Sequence, residues 1–184
     1  LDQLALTLAR HPGANGASAL PCSGRSLHTF RRDMLREQGL AGNLYALRGG
    51  FVQRVREREI RMPFGTVGED ALIGAMLKWD LKQNVPWDDS KVAVAEDAGF
   101  EFDPVSFWSA GEWKKYFRRR VRYSIRRYQN KMFDGIIQSA GFQALPRDIR
   151  QLYARYPELL ALDWRGLNTL FDWLAAREIR LACK

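Results

Sequence analysis

Two adjacent carboxylates, Glu69 and Asp70, follow the flexible run Phe64-Gly65-Thr66-Val67-Gly68 and stand directly before Leu72, Ile73, Met76, Leu77 and Leu81, an apolar set at helical spacing. A carboxylate at the head of a helix meets free backbone N–H groups and the positive end of the helix dipole. A group of that kind, within reach of a hydroxyl, can act as a general base. The same residue in the same place is also a preferred N-cap with no chemical role, and spacing alone does not separate the two readings. The second chemically suggestive feature is a run of cations. Nine of the 29 Lys and Arg residues lie between Trp113 and Met132, a stretch that holds none of the 21 acidic ones. At 100° per residue Lys115, Arg118, Arg119, Arg122 and Arg126 share a face, opposite a stripe of Trp113, Phe117, Val121, Ile125, Tyr128 and Met132. The stripe is expected to pack on the domain. Guanidinium groups on the other side suit a diphosphate, because each planar fork can bind two oxygens at once.

The elements that must position these groups follow from periodicity. Leu4, Ala5 and Leu8 predict a helix that ends near Arg10, ahead of His11-Pro12-Gly13. Ala17 to Leu20 reads as a buried strand, Leu27 to Leu35 as an amphipathic helix, and Asn43 to Leu47 as a second strand before the turn Arg48-Gly49-Gly50. A short helix around Phe51 to Val55 precedes the acidic pair, whose helix is expected from Ala71 to about Lys82. Lys91 to Asp103 alternates as one or two strands, Glu112 to Met132 forms the basic helix, and the chain beyond Gly135 is helical. Strands interleaved with helices and then helices alone imply an α/β class with a helical C-terminal extension.

The order of these features resembles the acceptor half of family-2 glycosyltransferases of the GT-A type. The residues that carry the resemblance are Gly42-Asn43-Leu44-Tyr45-Ala46-Leu47-Arg48, then Met62-Pro63, then Val67-Gly68-Glu69-Asp70-Ala71-Leu72-Ile73-Gly74. Val92 to Glu96, Phe100 to Pro104 and the basic helix Trp113 to Tyr123 follow in the family's order, and Leu4 to Pro21 resembles the helix and strand behind the family's metal-binding D-x-D element. The resemblance implies a partial GT-A-like mixed sheet flanked by helices over residues 1–133 and a helical extension over 134–184. It implies an inverting transferase that moves a sugar from a nucleotide-sugar donor to an acceptor hydroxyl, with Asp70 as general base and Glu69 in support. Arg48, Arg119, Arg122 and Tyr123 would contact substrate, the last two aligning with the Arg and aromatic of a Q-x-x-R-W signature in which Arg119 replaces the Gln. Trp108, just before the basic helix, is a candidate acceptor contact. The complete family enzyme is expected to use a divalent metal, Mg or Mn, held by D-x-D in an N-terminal nucleotide-binding half. No D-x-D occurs in this chain, and Leu1 already stands in helical register, so a truncated N-terminus is expected.

Composition bounds the alternatives. With 184 residues, 46% of them hydrophobic, the chain can bury one sizeable core. Ala71 to Leu77 is its longest uncharged apolar stretch and is too short to cross a bilayer, and no leader sequence is apparent, so a cytoplasmic location is expected, with the inner membrane surface as an alternative site. Cys22 and Cys183 lie far apart with only His11 and His28 to join them, a poor set for a zinc or disulfide framework. Two other readings stand beside the transferase. One is a nucleic-acid-binding module using the aromatic and basic residues of 113–132, disfavoured because the rest of the chain is near neutral. The other is a non-catalytic interaction domain in which Asp70 only caps a helix. The basic face also suits an anionic membrane surface. Most of the tryptophans are expected in the core or at interfaces.

Overall fold

A computed structural model of the chain describes residues 1–24, 27–101 and 110–183, with Ala110 and Glu112 described by their backbone alone. The chain divides into two compact units, one of 1–60, 69–104 and 141–143, the other of 61–68, 105–140 and 144–184. Residue 133, the boundary expected from the sequence, falls inside one long helix.

The first unit is an α/β layer. Its elements are α1 (Asp2–Arg10), β1 (Gly16–Pro21), α2 (Leu27–Glu37), β2 (Tyr45–Leu47), α3 (Gly49–Glu57), α4 (Glu69–Lys78) and β3 (Val92–Phe100). The strands form a mixed sheet in the order β2-β1-β3, with β1 antiparallel to β2 and parallel to β3. β1 is central and buried at every position, as its uninterrupted small and apolar residues predict. Side chains alternate across it. Ala17 and Ala19 join Ala93 and Ala95 of β3 on the face that receives Leu4 and Leu8 of α1, while Leu20 packs with Met34 of α2 on the other. Gly16 lies on that second face, where a Cβ would come within 3.0 Å of Leu77 in α4. Ser18, also on it, accepts a hydrogen bond from the Ala41 amide at 2.8 Å, so its buried hydroxyl is satisfied. The register of β1 with β3 slips between Ala19 and Leu20, whose partners are Ala95 and Gly99, and the intervening Glu96 and Asp97 are exposed.

A polar node ties the strand end to the helices. Asn15, buried, donates to the Leu77 carbonyl at 3.1 Å and to Asp80 Oδ1 at 2.9 Å, and Arg54 of α3 donates to Asn15 Oδ1 at 3.0 Å and Asp80 Oδ1 at 2.7 Å. Asp80 and Leu81 both have positive φ, which ends α4 at Lys78, earlier than the apolar spacing predicts. Lys78 itself is buried. Its ammonium donates to the Glu37 carbonyl and to Asp89 Oδ1, the latter at 2.6 Å, and lies 5.0 Å from the Trp87 ring centroid.

The second unit is helical, built from α5 (Ala110–Ala140), α6 (Ile149–Arg155) and α7 (Asn168–Ala182). α5 runs through Gly135, beyond the expected end of the basic helix. Its C-terminal half buries Ile125, Tyr128, Met132, Phe133, Ile136 and Ile137, and α7 packs along it through Phe171, Ala175 and Ile179. Asp148 caps α6, accepting from the Arg150 amide at 2.8 Å and from its guanidinium at 2.6 Å.

Three carboxylates make stability sensitive to acid. Hydrogen bonds from the Arg150 side chain and amide hold Asp148 at about 2. The Lys78 hydrogen bond lowers Asp89. Burial pushes Asp80 up, but hydrogen bonds from Arg54 and Asn15 with the Arg54 charge outweigh it and leave it below its ordinary value. A group lowered in the folded state contributes above its unfolded pKa, near 3.9, and that contribution disappears as pH falls through the folded value. The thermal midpoint is therefore expected to hold near neutrality and to drop between about pH 4 and pH 2, followed by circular dichroism at closely spaced pH. A midpoint constant across that interval would contradict the assignment.

Candidate active site

α4 begins at Glu69, preceded by Gly68 at φ 77°. Asp70 therefore stands inside the first turn and is not the cap residue. Its Oδ1 accepts from the Ala71 amide at 3.0 Å, and its side chain is partly exposed while Glu69 is exposed. The loop ahead of β2 lies against it. A Cβ on Gly42 would come within 3.1 Å of Asp70 Cβ and 3.5 Å of Oδ2, so a larger residue there would have to push this carboxylate away by a few tenths of an ångström. The result is an anionic oxygen pair at the surface of the first unit, held by a helix start on one side and a glycine backbone on the other.

Arg48, on the same unit, spends its guanidinium elsewhere. Nε donates to the Ala14 carbonyl at 2.8 Å, and Nη2 donates to Leu8 at 2.7 Å and His11 at 3.0 Å. These are carbonyls at the end of α1 and just beyond it, so the cation satisfies acceptors that helix geometry leaves unpaired. No substrate contact is needed to explain its position.

The loop that leads into the acidic pair is fixed within the second unit by a residue that the sequence reading passed over. Gln129 of α5 is fully buried, accepts from the Val67 amide at 2.7 Å, and donates to the Gly65 carbonyl at 3.4 Å and to Tyr153 Oη at 2.5 Å. One turn before it, the Arg126 side chain lies on Gly68, where a Cβ would come within 2.5 Å of Cδ. Gly68 is favoured by its positive φ, and a Cβ there would in addition displace the Arg126 side chain. The spacing carries no signal for Gln129: at 100° per residue it falls between Arg118 and Arg122 on the cationic face, seven residues after Arg122 and three after Arg126.

Arg119, Arg122 and Tyr123 lie on the N-terminal half of α5 and are exposed, Tyr123 by 52%. Among the described residues no hydrogen bond or ion pair engages Arg118, Arg119 or Arg122. Tyr123 also lines a shallow depression of about 450 Å³ with Arg126, Arg127, Asn130, Lys131 and Asp134. The expected burial of the aromatic stripe holds only from Ile125 onward: Trp113 is 44% and Phe117 45% exposed. Phe117 has one aromatic neighbour on α7, Phe171, at 5.7 Å, too little cover to close the stripe. The tryptophans divide between core and surface. Trp79 is buried with Trp87 edge-on at 5.1 Å, but Trp87, Trp164 and Trp173 are exposed. Trp108 lies outside the described residues.

Among the described residues no cluster of three or more His, Cys, Asp or Glu side chains could hold a metal ion. Among the described residues the oxygen-rich donor set that a divalent cation takes is not assembled. No helix among the described residues is long and apolar enough to cross a membrane. The chain matches no protein family, no curated protein and no solved structure. What the fold defines is a class: an α/β protein with a small three-stranded mixed sheet and a unit of packed helices.

Proposed function

We propose that the chain is the acceptor-side portion of a GT-A-like, inverting glycosyltransferase in which Asp70 is the general base. The observation that carries this reading is Asp70 itself, a partly exposed carboxylate in the first turn of α4, with Gly42 of the Gly42-to-Arg48 segment packed against it. Both partners belong to the motifs on which the family resemblance rests. The mixed sheet and the motif order along β1, β2, α4, β3 and α5 are consistent with it.

In the proposed reaction Asp70 takes the proton of the acceptor hydroxyl as its oxygen bonds to the anomeric carbon. The bond from that carbon to the nucleoside diphosphate breaks, and the diphosphate leaves with the bonding electrons. Attack opposite the leaving group inverts the configuration. Arg122, by its place in the motif, is assigned the counter-charge for the departing diphosphate.

The test is transfer from a panel of nucleotide sugars, using the protein as its gene encodes it and following the anomeric configuration of the product by NMR. Transfer with inversion supports the proposal. Absence of transfer from every donor, or a product of retained configuration, removes it.

A further inference from the structure

The N-terminal half of α5 combines two properties that a helix facing only water does not need together. Trp113 and Phe117 leave close to half their surface exposed, Lys114 and Arg118 flank them around the helix, and Lys115 stands on the opposite, polar face, all exposed. Beside them, α7 turns Leu170 and Trp173 outward, 54% and 45% exposed, flanking the Phe171 on which Phe117 rests. Exposed Trp, Phe and Leu side chains with cations between them and no acid from Trp113 to Met132 complement one kind of surface, an anionic lipid headgroup layer over an apolar boundary. Phosphates take the Lys and Arg heads, the ring and leucine side chains enter the region below, and the long cationic stems bridge the two depths. Nucleic acid would satisfy the cations and could stack on the rings, but gives aliphatic Leu170 no partner.

We propose that this surface docks the protein on an anionic membrane, lying in the interface without crossing it. The inference goes beyond the catalytic reading and uses none of its assigned residues.

The experiment is co-sedimentation of the full chain with vesicles of phosphatidylcholine alone and of phosphatidylcholine with phosphatidylglycerol, with tryptophan emission recorded in parallel. Binding to the anionic vesicles with a blue shift, and little to the neutral ones, is expected. Reversing Lys114, Lys115 and Arg118 to Glu should weaken that binding by about a hundredfold. Trp113→Ser with Phe117→Ser should weaken it by about tenfold and abolish most of the blue shift. Unchanged far-UV dichroism in both variants confirms that folding is kept, as their exposure predicts. Equal binding to neutral vesicles, no binding to either, or binding unaffected by both variants overturns the proposal. So does salt-sensitive binding to single-stranded RNA or DNA that exceeds the vesicle affinity.

Discussion

Asp70→Asn is expected to lower glycosyl transfer by about 10²–10⁴-fold, the span a general base contributes. The substitution isolates the proton from everything else the residue does. An Asn keeps the side-chain oxygen that accepts from the Ala71 amide at 3.0 Å, and keeps the shape that packs against Gly42. It loses the capacity to take the hydroxyl proton and the favourable charge at the start of α4, the second worth roughly 0.3–1 kcal/mol of stability. The loss should fall on kcat, with the donor KM little changed, because in the proposed reaction this carboxylate meets the acceptor hydroxyl and not the nucleotide. Glu69→Gln, on an exposed neighbour, is the control and should leave most of the rate. Transfer by Asp70→Asn within about threefold of the parent would exclude Asp70 as the base, far below the range a base supplies.

The second large effect is expected on stability, at Asp172. This residue of α7 has no exposed surface and lies 2.9 Å from Arg127 Nη2 of α5 and 3.4 Å from Arg165 Nη1. The Arg127 contact is close enough for charge attraction but not aligned as a hydrogen bond, and Asp172 Oδ1 and Arg127 Nε have no hydrogen-bond partner among the described residues. Such a pair is costly to bury and more costly to halve. Asp172→Ala leaves a largely buried guanidinium without its carboxylate, and is expected to destabilise the second unit by about 3–5 kcal/mol in urea unfolding. Replacing both partners together, Asp172→Leu with Arg127→Met, should recover most of that loss, because the desolvation of both charges disappears with them. The idea fails if the single variant unfolds within about 0.5 kcal/mol of the parent, as a surface substitution would.

Much of this architecture is legible in the chain because period and punctuation agree. α1 ends where His11-Pro12-Gly13 interrupts Leu4 and Leu8, and β1 occupies the short apolar run before Pro21. The acidic pair does open a helix. What was not legible has identifiable physical causes. The slip in β3 depends on pairing with β1, which no local pattern encodes. The exposed start of α5 follows from how little covers it, although its spacing is indistinguishable from the buried half. Arg48 reads as a substrate contact by its place in the motif, while the structure also gives it partners 34 to 40 residues away, its Nε and Nη2 donating to carbonyls of α1 and the loop after it. Gln129 falls among the cations of its helix, so no spacing marks it as buried, whereas Asp172 was visible in principle as a polar residue at an apolar position of its helix. A polar residue there is either an error in the pattern or a buried contact, and the second explanation is the one the fold adopts.

The alanines that floor the sheet beneath α1 carry a consequence for how such a chain can change. Ala17, Ala19, Ala93 and Ala95 present single methyl groups to Leu4 and Leu8, so helix and sheet approach with almost no side-chain volume between them. Any drift toward Val or Leu at one of these sites would lift the helix as a body, since a packed interior yields by displacement before it yields by compression. Drift on that face is thus confined to Gly, Ala and Ser, while the outer surface of the same helix is at liberty to vary. Distant kin would therefore share this texture of small residues long after their charged surfaces had ceased to look alike.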